Sequence, residues 1–110
     1  MQQQVAVSAG WSFVATIPPV RLEELAAGET LEVETENRIY SLQRVSEGQW
    51  AIAGHPLHCP SPVPVTVLGS SIGGPMLMPN YIGPGLRLEY RHPEHGLIRT
   101  SRVRDIRLCR

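Results

Sequence analysis

Two pairs of histidines carry the most obvious chemistry in the chain: His55-x-x-His58, followed directly by Cys59, and His92-x-x-His95. Imidazole and thiolate are the side chains that hold zinc, and structural zinc sites bring their ligands as two short-spaced pairs. His55, His58, Cys59, His92 and His95 therefore form a candidate metal set, to which Cys109 could in principle add a further thiolate. No Cys-x-x-Cys knuckle accompanies them, and both segments, one studded with prolines and the other holding Glu94, read as surface turns. The expectation is no resident metal or other cofactor, with a small His/Cys metal domain as the third-ranked reading. Cys59 and Cys109, 50 residues apart, read as free thiols rather than a disulfide.

Gly69-Ser70-Ser71-Ile72-Gly73 has the spacing of a G-x-S-x-G nucleophile elbow and follows a convincing strand. That device needs a helix directly after the serine, and here Gly74-Pro75 follows. Asp105 is the only aspartate available to orient a base, and a phosphate-cradling loop is excluded because the chain has no lysine. The carboxylates of Glu23, Glu24, Glu29, Glu32, Glu34 and Glu36 cluster early in the chain. Glu32 and Glu34 share one face of a strand that the alternation makes wet, where like charges in water tune each other little. Nothing in this set converges on a pocket, so no enzymatic activity is expected.

Charge is distributed unevenly although it sums to zero. Residues 1–86 hold three arginines against seven glutamates, and residues 87–110 hold seven arginines against three acids. Arg87 and Arg91 lie on one strand, on the face that also carries Glu89, while Tyr90 takes the opposite, apolar face. Arg99, Arg102, Arg104 and Arg107 follow along the last hairpin. Such a stripe suits planar contacts to carboxylate or phosphate. A platform for single-stranded nucleic acid would add exposed aromatics, and Tyr81 is the only one nearby. Pairing of these arginines with the glutamate-rich strands, within the chain or between copies, ranks above nucleic-acid binding through Arg87, Arg91, Arg102 and Arg104. The remaining feature is the Gly/Pro-rich stretch 71–85, which carries Met76, Met78, Tyr81 and Ile82. Methionine-bearing loops adapt to varied partner surfaces, although part of this one can also lie over the core.

The elements that must position these residues are short strands. With 110 residues, the chain is expected to form one domain, residues 1–9 being a frayed lead into a strand at Val5–Val7 or Trp11–Thr16. Pro18-Pro19 ends that strand, and the apolar spacing of VRLEELAAGE predicts a short helix over about 20–27, closed at Gly28. Period-two alternation then predicts strands in TLEVET, at 38–45 and at 49–54, joined as an antiparallel meander. Strands at 63–70 and 85–91 follow, then LIRT (97–100) and RDIRLC (104–109). The run GLIRTSRVRDIRL, read as strand, 3₁₀ turn at Thr100–Val103 and closing strand, resembles the end of Src-homology-type small barrels.

The fold expected is all-β, a small antiparallel barrel (SH3-like or related) with one short helix. The function expected is a non-enzymatic binding or assembly module acting on a protein partner or a second copy, through the 72–84 loop and the arginine-rich strands. With no basic and apolar leader and no run of about 20 apolar residues, no membrane is expected to be involved and a cytoplasmic location is the default.

Overall fold

A computed structural model describes residues 14–109. The expected fray at 1–9 and strand at Val5–Val7 lie outside the described residues. The fold is all-β. Strands β1 (Val14–Thr16), β3 (Thr30–Thr35), β4 (Ile39–Ser46), β5 (Gln49–Ala53), β6 (Val63–Ser71), β7 (Leu77–Pro79), β9 (Arg87–His92) and β10 (Gly96–Cys109) make one antiparallel sheet. Strands β2 (Val20–Arg21) and β8 (Tyr81–Ile82) pair separately. The predicted meander is β3–β4–β5, with turns short enough that only antiparallel pairing is possible. Pairing runs β1–β10–β3–β4–β5–β6–β7, and β9 joins β6 to β10, so the ladder that leaves β10 through β3 comes back to it. Leu31, Val33, Leu42, Ile52, Leu88, Tyr90 and Ile106 are buried in one hydrophobic core, with Tyr40 edge-on to Tyr90 at 6.4 Å. Among the described residues no helix is long and apolar enough to cross a membrane.

Three local expectations give way. The helix over 20–27 is a single 3₁₀ turn at Leu22–Glu24. Val20 and Arg21 are drawn into pairing with Ile82 and Tyr81, and Leu22 N–H donates to Asn80 O at 2.8 Å. What is left before Gly28 is too short to nucleate an α-helix, and the tighter turn already buries both Leu22 and Leu25. The Arg44 guanidinium covers its open end by donating to Leu25 O at 2.7 Å. The 72–84 loop is not wholly irregular, because Asn80, in the left-handed conformation at φ 56, reverses the chain between β7 and β8. Finally, no 3₁₀ turn interrupts 100–103. β10 runs through that segment, kinked by register shifts at Arg99/Arg102 and Val103/Asp105, so the resemblance to a Src-homology terminus does not extend to these residues.

The supposed wet face of β3 is closed over. Flanked by β10 and β4, β3 buries five of its six residues, and Glu32 is only 4% exposed. Cross-strand register sets Arg107 opposite Glu32 and Asp105 opposite Glu34. Arg107 Nε meets Glu32 at 3.0 Å, and its Nη1 meets Glu34 at 3.1 Å and Asp105 at 3.2 Å. Burial works against the guanidinium charge, but the hydrogen bonds it donates to Glu32 and Glu34 outweigh this and hold Arg107 more firmly protonated than usual. Breaking a buried pair leaves one charge in low dielectric without its partner. Arg107→Met is therefore expected to cost about 3–5 kcal/mol, read as a fall in the denaturant midpoint. Arg107→Met combined with Glu32→Leu is expected to recover most of that loss. Equal destabilisation by the single and the double change would show that packing, not charge, makes this site critical.

Candidate functional site

The face of β6, β9 and β10 turned away from the core carries Arg87, Arg91, Arg99 and Arg102. Directly opposed residues share a face, and the register lines up Ser71, Arg87 and Arg102 in one row, Gly69, Glu89 and Arg99 in the next, and Thr66, Arg91 and Leu97 in the third. Glu89, 5% exposed, accepts from the Ser71 hydroxyl and from Arg99 Nε at 2.9 Å. Arg87 donates to Thr100 O at 3.3 Å. The guanidiniums of Arg91, Arg102 and Arg104 form no ion pair among the described residues. Four guanidiniums thus meet one buried carboxylate across this face. Its parity is as expected: Tyr90 points inward and is fully buried.

The β6–β7 hairpin adjoins this face. Gly73 O accepts from Arg99 at 3.4 Å, and a Cβ on Gly73 would lie 3.4 Å from Arg87 Nε. Strand β7 can lie along β6 only because residue 69 is glycine: its φ is +139°, and a Cβ there would sit 2.1 Å from Met78 O. Of the seven large apolar side chains exposed among the described residues, Ile72, Met76, Leu77 and Met78 are on this hairpin. These four lie together on one hairpin, a patch rather than scatter. Strand β7 is also the sheet's edge. Two of the expected contact residues belong elsewhere. Ile82 is fully buried in the core, and Tyr81 is half-buried with its ring against Gly83.

All four histidines converge at another place, where the β5–β6 connection meets the β9–β10 turn. The rings form a chain: His55 stacks on His58 at 4.2 Å, His58 lies 5.0 Å from His95, and His95 lies 4.5 Å from His92. Two copies of one local device place them. His55 Nδ1 accepts the N–H of Leu57 (3.1 Å) and His58 (3.2 Å), and His92 Nδ1 accepts those of Glu94 (3.0 Å) and His95 (3.2 Å). With Nδ1 accepting, the His92 proton resides on Nε2, which donates to His58 O at 2.8 Å and ties the two turns together. Burial, the His95 and His92 imidazoles and Arg38 hold the His58 pKa below its usual value, and burial, His58 and Arg38 do the same for His55. The signal in the sequence was the shared His-Pro-x-His, since proline after the first histidine presets the turn that its Nδ1 closes. Spacing of the histidines alone does not reveal that the first of each pair is structural.

Cys59 does not join them. It faces the core, with Sγ 4.0 Å from the Tyr90 hydroxyl, and Cys109 is equally buried; both are free thiols. Ser71, the centre of the G-x-S-x-G spacing, lies 1% exposed within β6 and is spent on Glu89. No protein family, no curated protein and no solved structure matches this chain.

Burial first, then the Glu32 charge, pushes the Cys109 thiol up to about 11 from 9.0. Burial likewise raises the hydroxyls of Tyr40 and Tyr90. Groups with raised folded pKa keep protons that the unfolded chain releases, so the Cys109 contribution to stability is present below pH 9.0 and is lost as pH rises toward 11, while those of Tyr40 and Tyr90 begin to be lost only above 10.0. Denaturant titrations should show stability falling across that interval. Both thiols should resist a thiol-specific disulfide reagent in the native protein at neutral pH and react fully in denaturant. Rapid native reaction would contradict their burial.

Proposed function

We propose that this chain is a non-enzymatic binding module that takes a protein segment along the β7 edge, with apolar anchors on the β6–β7 hairpin and acidic flanks on the β6–β9–β10 face. The observation that carries the reading is the contact between its two halves: Gly73, at the tip of the apolar hairpin, accepts a hydrogen bond from Arg99 of the cationic face, and a side chain there would meet Arg87. An edge strand supplies unpaired backbone N–H and C=O groups for an added strand. Exposed Ile72, Met76, Leu77 and Met78 supply apolar contact area, and unpaired Arg91 and Arg102 favour carboxylates. The ladder that returns to β10 supports reading the sheet as a small barrel, a rigid body from which such an edge can be presented. Nucleic-acid binding through Arg87, Arg91, Arg102 and Arg104 is the second reading, favoured by the bare guanidiniums but with no exposed aromatic on that face among the described residues. A second copy of the chain is the alternative occupant.

Panning of a random short-peptide display library on the immobilised protein tests this. Enriched peptides should carry apolar residues next to Asp or Glu. Their binding should weaken by about tenfold or more in Met76→Asp/Met78→Asp and in Arg87→Glu, the scale of losing one buried anchor. A consensus without acids, or binding that both variants leave intact, would overturn the proposal. Heparin retention with a steep salt dependence and no peptide consensus would move the assignment to nucleic acid. A concentration-dependent dimer abolished by the same changes would make the partner a second copy.

A further inference from the structure

A cavity of about 210 Å³ lies between the β3–β4 turn, the β5–β6 connection and the middle of β10. Several hydrogen-bond donors border it and, among the described residues, no carboxylate does. Arg38 reaches it from the turn, where Thr35 Oγ1 accepts the Arg38 N–H and donates to Arg38 O, both at 3.1 Å, and so fixes where that side chain starts. The Arg38 guanidinium forms no ion pair among the described residues. After burial and the neighbouring imidazoles, Arg38 is a further cause of the depressed pKa values of His55 and His58, so its charge stands within electrostatic reach of both rings. His55 spends Nδ1 on closing its own turn, which leaves the ring proton on Nε2, a donor with no partner among the described residues. Tyr40 and Ser101 add hydroxyls. The Tyr40 hydroxyl makes no hydrogen bond among the described residues, and Ser101 Oγ accepts the Asn37 N–H at 3.3 Å with its own proton uncommitted.

A guanidinium, an imidazole N–H and two hydroxyls, with no acid beside them to compete, select an anion. Arg99 also borders the cavity, but its guanidinium turns to Glu89 and to Gly73 O, so Arg38 is the cation available. We infer that this cavity binds a phosphate group, free or carried on a small monoester, with Arg38, His55 Nε2, Tyr40 and Ser101 donating to its oxygens. These donors come from three separate parts of the chain, so they approach the cavity from different sides. Four tetrahedral oxygens can use donors spread in that way, whereas the two coplanar oxygens of a carboxylate would leave some of them unused. The volume is several times the roughly 30 Å³ that a water molecule occupies, which admits a phosphate group and a few atoms more but not a whole nucleotide. The inference is independent of the β7 edge, since no residue of the β6–β7 hairpin borders the cavity.

Titration of the full chain with inorganic phosphate at constant ionic strength, followed by amide NMR shifts, tests the pocket. Saturable shifts should centre on Arg38, His55 and Ser101, with a Kd of about 1 mM or tighter. Arg38→Gln should weaken binding by about tenfold or more, the scale of one lost charge-assisted hydrogen bond. Tyr40→Phe keeps the ring packed on Tyr90, removes only the hydroxyl and should weaken binding by a few-fold. Arg21→Gln, an exposed change on β2 away from the cavity, should leave affinity unchanged. Phenyl phosphate in the same titration separates the two sources: tighter binding than the free ion supports a monoester as ligand, and weaker binding supports the free ion. Absence of binding by either anion, no loss in Arg38→Gln, or an equal loss in Arg21→Gln would overturn the pocket.

Discussion

The register of β10 against β3 is the constraint from which the rest of the structure follows. β10 is the one strand that pairs with β1, β3 and β9, so any displacement of it moves three neighbours at once. In a strand buried on both sides a slip of one residue exchanges the two faces. Here the exchange would drive Arg107 toward Leu31 and Val33 and pull Ile106 out among Glu32 and Glu34. The charged triad around Arg107 therefore penalises every register but one. Buried ion pairs add little net stability over apolar packing, and their best-attested use is specifying a single arrangement. That division of labour fits a core drawn from aliphatic residues, which pack well but discriminate poorly between registers.

From that register the outer face follows. Once Ile106 and Val103 are inward, the bulge at Arg99/Arg102 decides which arginines of the other half of β10 meet β9. It sets Arg102 opposite Arg87 and leaves Arg99 opposite Glu89. Two like charges directly opposed are unfavourable in a sheet unless something else compensates. Arg87 is partly compensated by Thr100 O, while Arg102 is bonded among the described residues only through its backbone, whose N–H donates to the Glu36 carboxylate and whose carbonyl accepts the Glu36 N–H. A cationic face built in this way has no internal need for so many unpaired guanidiniums, which is the physical reason to look outside the molecule for their counter-charge.

Strand positions and their inward residues were legible because alternation in β3, β4, β6 and β9 is a local property that the fold respects. The charge split was legible as well, although its largest consequence, Arg107 on Glu32, joins residues 75 positions apart and is visible only in the register. What local reading missed was decided by distant partners. Val20 and Arg21 leave a helical spacing because β8 offers them hydrogen bonds. Glu32 leaves the solvent because β10 covers it. Gly69, read within the strand at 63–70, and Asn80, read within the Gly/Pro-rich stretch, allow β7 and β8 to form where a side chain or an ordinary backbone angle would prevent them. At the histidines the spacing marked two pairs that the fold brings together, but grouped Cys59 with them because sequence does not show that its side chain faces the core.

Strand β9 links the hairpin edge to the imidazole cluster, whose His55 and His58 border the phosphate cavity, and also separates them. Arg87 begins it beside the hairpin tip, and His92 ends it within the imidazole cluster. Five residue steps at about 3.3 Å place those ends roughly 16 Å apart. Between them Leu88 and Tyr90 are locked in the core and Glu89 is held by Ser71 and Arg99. A strand anchored at each successive residue transmits a local change poorly, since packed interiors resist continuous deformation. The hydrogen bonds that fix the histidine turns are, apart from His92 to His58 O, local to each turn. Each end is thus built from its own short-range devices on a common rigid strand, and occupancy of one site requires no rearrangement of the other.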